Sequence, residues 1–580
     1  MATPILVDGC FGWLHPGGSR RGAVLCSPFG QEAEFTHREW RDLAEALAKA
    51  GLTTLRFDYA GLGDSPGDDE QPSRLATWVG NVRAAIQRLR DDYGVQEVVL
   101  IGLRFGAALA AAAAREEAGI EGVALLAPVG SGAGYIRELT MTARIAHKQP
   151  VREGEEISVA GVTYTRETLD DFSRFRPFSG GPPPPRVLTL TPPGLPPDGA
   201  VAAWAGAGTA EQGEFEGYSE FMFNADYNVY PAEAFGRVAR WAATGLPAQS
   251  GTPAITPEQP IHLDLTDSRE EVVAIPGTAP LFGVFSEPKR PLRDAPAVLF
   301  MNTGATSHQG AGRMWVAMAR KFAAMGFASL RFDVAGVGDS PDRPDQVDPV
   351  EQVSGSLVDV RAALDLLEAR GHPRAILAGF CRGSQLACLT AFADRRVCGQ
   401  VLIGPPVYFW DEPPLHGYPR SAGNYVQLVK NPETWAGVLR GEIRPWQLVR
   451  GAGRMARRWV DQVQQKRKAM ATAARIRQLA GRGVETFMIV GDHDDFLPGV
   501  EEYFFSRIDR FPRLLSVRTA ILPETDHLYL TKRDRELLIG TISPFVAEFG
   551  AGPPKAAQGG NERARRPSAP AADLGGEAAA

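Results

Sequence analysis

Two short segments, Gly102-Leu-Arg-Phe-Gly106 and Gly379-Phe-Cys-Arg-Gly383, set one polar side chain between flanking glycines. Each follows an apolar run (VVLIGL from Val98, AILAGF from Ala375) and precedes a helical stretch. A G-x-nucleophile-x-G pattern in that context marks a sharp strand-to-helix turn, whose glycines permit a strained backbone that lifts one side chain above a sheet. Cys381 holds that place in the second segment and Arg104 in the first. A thiol is intrinsically more nucleophilic than a hydroxyl, and cysteines at helix N-termini are the reactive kind. Free cysteines are otherwise mostly buried small apolar residues. Cys388, in a helix, and Cys398, at a strand edge, are read that way.

A nucleophile on such a turn needs an acid and a base, which follow it in that order along the chain. The strand FMIVGDHDDFLP from Phe487 ends in G-x-x-D and puts Asp494 at its tip, with Asp492 and Asp495 as substitutes. His527 lies in the loop after the next strand. The expected triad is therefore Cys381, Asp494 and His527. The oxyanion hole is expected to use the backbone N–H of Arg382 and one from the loop after AVLFMN, placed at Ala305. His308 in that loop is a candidate substrate contact, with a plain surface position as the alternative.

The first half fails the same tests. A guanidinium stays cationic and cannot attack a carbonyl. The strand VLTLTPPG from Val187 ends without a carboxylate, and EFEGYSEFMFNADYNVYPAEAF from Glu214 contains no histidine. This half is read as non-catalytic, with Arg104 holding either an anionic group or an internal carboxylate.

The elements that must position these residues are written twice. Leu55-Arg-Phe-Asp-Tyr-Ala-Gly-Leu-Gly-Asp-Ser-Pro66 recurs from Leu330 to Pro341 with ten of twelve positions identical. In both copies the order is apolar run, helix, repeat, polar loop, helix, apolar run, with Trp40 and Trp315 at matching places. Short apolar runs alternating with helices predict parallel, doubly covered sheets. The expected organisation is a first domain over 1–246, a linker and opening hairpin over 247–290, a second domain over 291–549 and a disordered tail over 550–580. Each domain is expected to carry a helical lid insertion. That of the second domain, about 407–482, is basic: from Arg420 to Arg482 it has fourteen Lys or Arg against three Asp or Glu. Such a run is a solvated face, a landing site for an anionic partner, or an amphipathic helix lying on acidic lipid.

A net charge of -6 over 580 residues argues against a nucleic-acid binder. No apolar stretch is long enough to span a membrane, the N-terminus lacks a secretory pattern, and five cysteines do not make a disulfide scaffold. No metal-ligand spacing is present, so a cytoplasmic protein without metal or cofactor is expected.

With these motifs the second half resembles the serine-aminopeptidase-like α/β-hydrolases, especially the bacterial exosortase-system-associated hydrolases. The shared signs are the N-x-G loop at Asn302, the RFD-x-x-G-x-GDS turn at Arg331, the elbow at Gly379 and the Asp526-His527 pair. GFCRG is also similar to the cysteine elbow of dienelactone hydrolases. The first half is similar to a related group with a G-L-R-x-G elbow. Together the resemblances span most of residues 10–548 and imply two α/β-hydrolase folds in tandem. Many members carry Ser at the elbow, so the role of Cys381 rests on chemistry.

The expected function is hydrolysis of activated acyl groups (ester, thioester or lactone) through a Cys381 thioester. His527 would act as base and then acid, and Asp494 would fix the imidazole tautomer. Two alternatives stay open. One is an acyltransferase or cyclase on a carrier-bound intermediate in polysaccharide or natural-product assembly, which the basic lid favours. The other is a non-catalytic binding or scaffold protein. A chain that repeats itself also has the means to pair its halves as homodimer subunits would, and a homo-oligomer stays open as well.

Overall fold

The computed structural model describes residues 2–147, 156–246, 261–277, 279–344, 353–406, 467–504 and 506–551. The first half builds β1 (Thr3–Val7), β2 (Cys10–His15), β3 (Arg21–Cys26), β4 (Thr53–Phe57), β5 (Glu97–Leu103) and β6 (Ile120–Leu126). A small hairpin of β7 (Ile157–Val159) and β8 (Val162–Tyr164) stands apart, and β9 (Arg186–Thr191) and β10 (Thr209–Glu214) complete the sheet. Its order is β1-β2-β4-β3-β5-β6-β9-β10, with β4 through β10 parallel to one another.

The second half builds β11 (His262–Asp264), β12 (Ser268–Ile275), β13 (Leu281–Pro288), β14 (Ala297–Phe300) and β15 (Ser329–Phe332). It continues with β16 (Ala375–Phe380), β17 (Val397–Ile403), β18 (Glu485–Gly491) and β19 (Arg518–Leu522). The order β12-β13-β15-β14-β16-β17-β18-β19 repeats the first sheet strand for strand, and β11 adds one edge. Central strands such as β5 and β16 are buried along nearly their whole length, because helices pack on both faces.

The duplicated motif encodes a turn. In each copy the first Asp accepts from the backbone N–H six residues on: Asp58 from Asp64, and Asp333 from Asp339, both at 2.9 Å. A Cβ at the glycine between them would come within 2.1 Å of the Asp58 carboxylate, or 2.3 Å of that of Asp333. Only glycine, here at φ 53° and 52°, allows that closure. The motif serine then caps a neighbouring strand: Ser65 accepts from Phe11 N–H, and Ser340 from Phe282 N–H.

The two turns also face each other. Arg56 of the first copy pairs with Asp339 of the second, and Arg331 of the second pairs with Asp64 of the first. Residue i meets j and j meets i, which is the mark of an isologous two-fold contact. Arg41 adds bonds to the Gly338 and Ser340 carbonyls, while Arg313 does the same for Gly63, Ser65 and Gly67. Beside these charges lies an apolar seam between equivalent strands β2 and β13, with Trp13 and Phe282 rings 5.0 Å apart.

Candidate active site

Strand β16 ends at Phe380 and helix Arg382–Ala393 begins at once, so Cys381 must make the corner. It does so at φ 51°, ψ -117°. A Cβ on Gly379 would lie 2.2 Å from the Gly383 carbonyl, and one on Gly383 would lie 2.6 Å from that of Asn302. Both glycines are therefore needed for the helix to approach the strand and the loop after β14. Arg104 makes the same corner in the first copy, at φ 55°, ψ -120°.

Three carboxylates crowd the tip of β18, and burial separates them. Asp492 and Asp495 are exposed, whereas Asp494 is 3 % exposed. Asp494 accepts from Phe496 N–H at 2.8 Å through one oxygen and meets His527 Nδ1 at 2.9 Å through the other. The imidazole packs against the rings of Phe380 and Phe496, with centroids 5.1 and 4.5 Å away. Burial by itself lowers the proton affinity of His527. The Asp494 carboxylate bonded to Nδ1 and the nearby Cys381 outweigh it, and the pKa is raised to about 10. Cys381, His527 and Asp494 thus form one line of interacting groups: Asp494 is hydrogen-bonded to the imidazole, and Cys381 acts on the same ring. Such a line can move a proton off a thiol and hold the resulting imidazolium.

Two expectations for the loop after β14 are corrected. The Ala305 N–H donates to Asp226 of the first half at 2.7 Å, so its proton is already committed to a carboxylate. His308 is no substrate contact. It is 1 % exposed, and its two ring nitrogens meet Asp64 of the first copy and Asp333 of the second, each at 2.7 Å. Burial opposes protonation there, but the two carboxylates outweigh it and keep the ring protonated well above its usual range.

In the first copy the elbow is filled by an internal ion pair. Arg104 Nε bonds Glu32 at 2.8 Å, and a terminal nitrogen bonds Glu138. Of the two ligands left open by the sequence, the internal carboxylate is the one found. Pro192, Pro193 and Gly194 follow β9 where the acid would stand.

Of the basic lid, residues 407–466 lie outside the described residues. Residues 467–481 are helical and bury Ala469, Ala473, Ile476 and Leu479 in the second core. The first copy's insertion holds helices Gly132–His147 and Arg166–Arg174 with the β7–β8 hairpin between them. A cavity of ≈ 200 Å³ lies between the copies, walled in part by Trp13, Trp40, Tyr59 and Arg313. None of Cys381, Asp494 and His527 borders it, so it is not the pocket of this line of residues.

The sequence reading missed Asp226 and the pairing of Asp64 with His308. Asn302 and Asp333 carried a signal, because both sit in quoted motifs. Asp226 carried none, since its partner lies in the other half.

Comparison with known proteins gives two family matches. The model described as serine aminopeptidase, S33, matches residues 20–164, and that described as alpha/beta hydrolase family matches residues 298–539. Similar solved structures include an alpha-beta serine hydrolase homologue from Coxiella burnetii, at 15% identity over 47% of this chain and 97% of that one, TM-score 0.29. Another is Est1E from Butyrivibrio proteoclasticus with bound ferulic acid, at 18% identity over 41% of this chain and 97% of that one, TM-score 0.31. A putative alpha/beta hydrolase from Agrobacterium tumefaciens shares 14% identity over 47% of this chain and 94% of that one, TM-score 0.29. No curated protein matches the chain.

Proposed function

Because the chain is a tandem α/β-hydrolase protein, we propose that its second domain is an acyl hydrolase that works through a thioester on Cys381. The observation that carries this reading is the line Cys381–His527–Asp494 beside a strained elbow, against the Arg104–Glu32 ion pair at the equivalent corner of the first domain. In the first step His527 takes the thiol proton and the sulfur adds to the substrate carbonyl. The oxyanion is held by backbone N–H groups at Arg382 and in the loop after β14. Collapse expels the leaving group, which receives the proton from His527. Water, activated by the same imidazole, then releases the acid and frees the thiol. Asp494 keeps the ring oriented and stabilises its cationic form throughout. A thioester intermediate suits esters, thioesters and lactones, whose leaving groups depart readily.

The test is intact-mass spectrometry of wild type and Cys381→Ala after brief exposure to activated acyl esters and thioesters. The expected result is an acyl adduct on the wild type that maps to Cys381 and decays in water. Cys381→Ala should form none and lose turnover by on the order of 10⁴-fold or more. Full turnover in Cys381→Ala on every substrate found would refute the mechanism.

A further inference from the structure

In the second domain the connection between the last strand and the last helix presents His527. In the first domain the same connection, between β10 and helix Ala232–Ala242, has no histidine and presents Asp226. Asp226 reaches the other domain and accepts the Ala305 N–H at 2.7 Å. Gly304 is shaped to this contact: at φ 56° it has no side chain, and a Cβ there would lie 2.1 Å from an Asp226 oxygen. The segment carrying Asp226 is itself anchored, because Asn228 donates to the Phe35 carbonyl and to the Glu39 carboxylate at 2.7 Å.

The far end of the same loop is held from the same side. His308 bridges Asp64 of the first domain to Asp333, and Asp333 in turn accepts from the Asn302 side chain at 2.9 Å. The interface is nearly two-fold, yet only one of its two chains is complete. Asp64, His308, Asp333 and Asn302 run unbroken to the loop beside Cys381. On the other side His37 meets Asp339 at 3.1 Å, but the residue matching Asn302 is Ser27, which among the described residues makes no hydrogen bond to the Asp58 carboxylate. The loop that these contacts hold meets the elbow at Asn302, whose carbonyl a Cβ on Gly383 would approach to 2.6 Å.

We infer that Asp226 is a positioning residue for the second domain, clamping the Asn302–His308 loop so that its remaining amides serve the oxyanion formed at Cys381. This rests on the acyl-thioester reading above. The first domain then supplies part of the working site in place of a second active centre.

Wild type, Asp226→Ala and Asp226→Asn are compared as full-length proteins, with p-nitrophenyl acetate as acyl donor and iodoacetamide as alkylating probe. Acylation of a thiol builds an oxyanion and alkylation does not, so the two probes separate loop geometry from thiol reactivity. Asp226→Ala is expected to slow acylation about tenfold or more, in kcat rather than KM, because a displaced donor loses its alignment. Asp226→Asn, whose amide oxygen still accepts a hydrogen bond, should recover most of that loss. Alkylation of Cys381 should be the same in all three proteins, and deuterium uptake over residues 302–308 should rise in Asp226→Ala. Unchanged or faster acylation in Asp226→Ala, from a wild type that does acylate, overturns the positioning role and leaves the thioester mechanism standing. A wild type that alkylates at Cys381 but never acylates overturns the mechanism and the oxyanion role together. Unchanged deuterium uptake in Asp226→Ala overturns the clamp whatever the chemistry does.

Discussion

At the tip of β18, three aspartates within four residues differ by what surrounds them. Asp494 is buried and spends one oxygen on its own turn and the other on His527, while Asp492 and Asp495 face water. The consequence is measurable through His527, whose pKa is raised from the usual 6.5 to about 10 in the folded chain. A folded state that binds a proton more tightly than the unfolded one gains stability while that proton is on. The gain is complete below about pH 6.5 and disappears as pH climbs toward 10. Wild-type Tm is therefore expected to decline from pH 6.5 to pH 10, and Asp494→Asn should flatten much of that decline. An equal slope in both proteins, followed by thermal melts across that range, would contradict the assignment of Asp494 as the partner. The types and order of Cys381, Asp494 and His527 were legible in the sequence. Which aspartate is buried was not, because burial is set by the loop folding back over β18.

At the scale of elements, the two elbows have nearly the same backbone angles and different side chains. The corner is thus a property of the strand, the glycines and the helix, and chemistry is added by one residue. Gly383→Ala should make this visible, since the new Cβ meets the Asn302 backbone carbonyl at 2.6 Å. A loss of about 1–3 kcal/mol is expected from overpacking against backbone that cannot yield. Gly540→Ala, in helix Lys532–Glu548 with open space around the site, should instead gain up to about 1 kcal/mol from helix propensity. Urea midpoints of the two variants should move in opposite directions. The two parallel, helix-covered sheets were legible from the alternation of apolar runs and helices, and their strand order was not. The Ala305 amide illustrates the opposite case: a backbone donor leaves no side-chain signature, so its partner could be found only in three dimensions.

For the whole molecule, the two-fold interface puts charge where a monomeric fold would avoid it. Arg331 is fully buried, and its nearest carboxylates are Asp64 across the interface and Glu270. Removing one member of such a group leaves the others buried and uncompensated. Arg331→Met in the full chain is expected to cost about 3–5 kcal/mol, seen as a lowered unfolding midpoint. A change below about 1 kcal/mol would mean that the halves are held mainly by the apolar seam of Trp13 and Phe282. The repeat told of two similar sheets, and pairing between them was foreseeable in outline. The specific reciprocity of Arg56 with Asp339 and Arg331 with Asp64 was not, because a sequence repeat does not state which surface its copies share.

The sequence by itself determined the fold class, its duplication and the two elbows, with Arg104 in one and Cys381 in the other. These depend on local spacing and on residue types that persist at any distance. Only the tertiary structure decided that Arg104 is neutralised internally, that His308 is buried between two carboxylates, and that Asp226 takes the Ala305 amide. Each of these joins residues far apart in the chain, across a surface that exists only once both sheets have folded and docked.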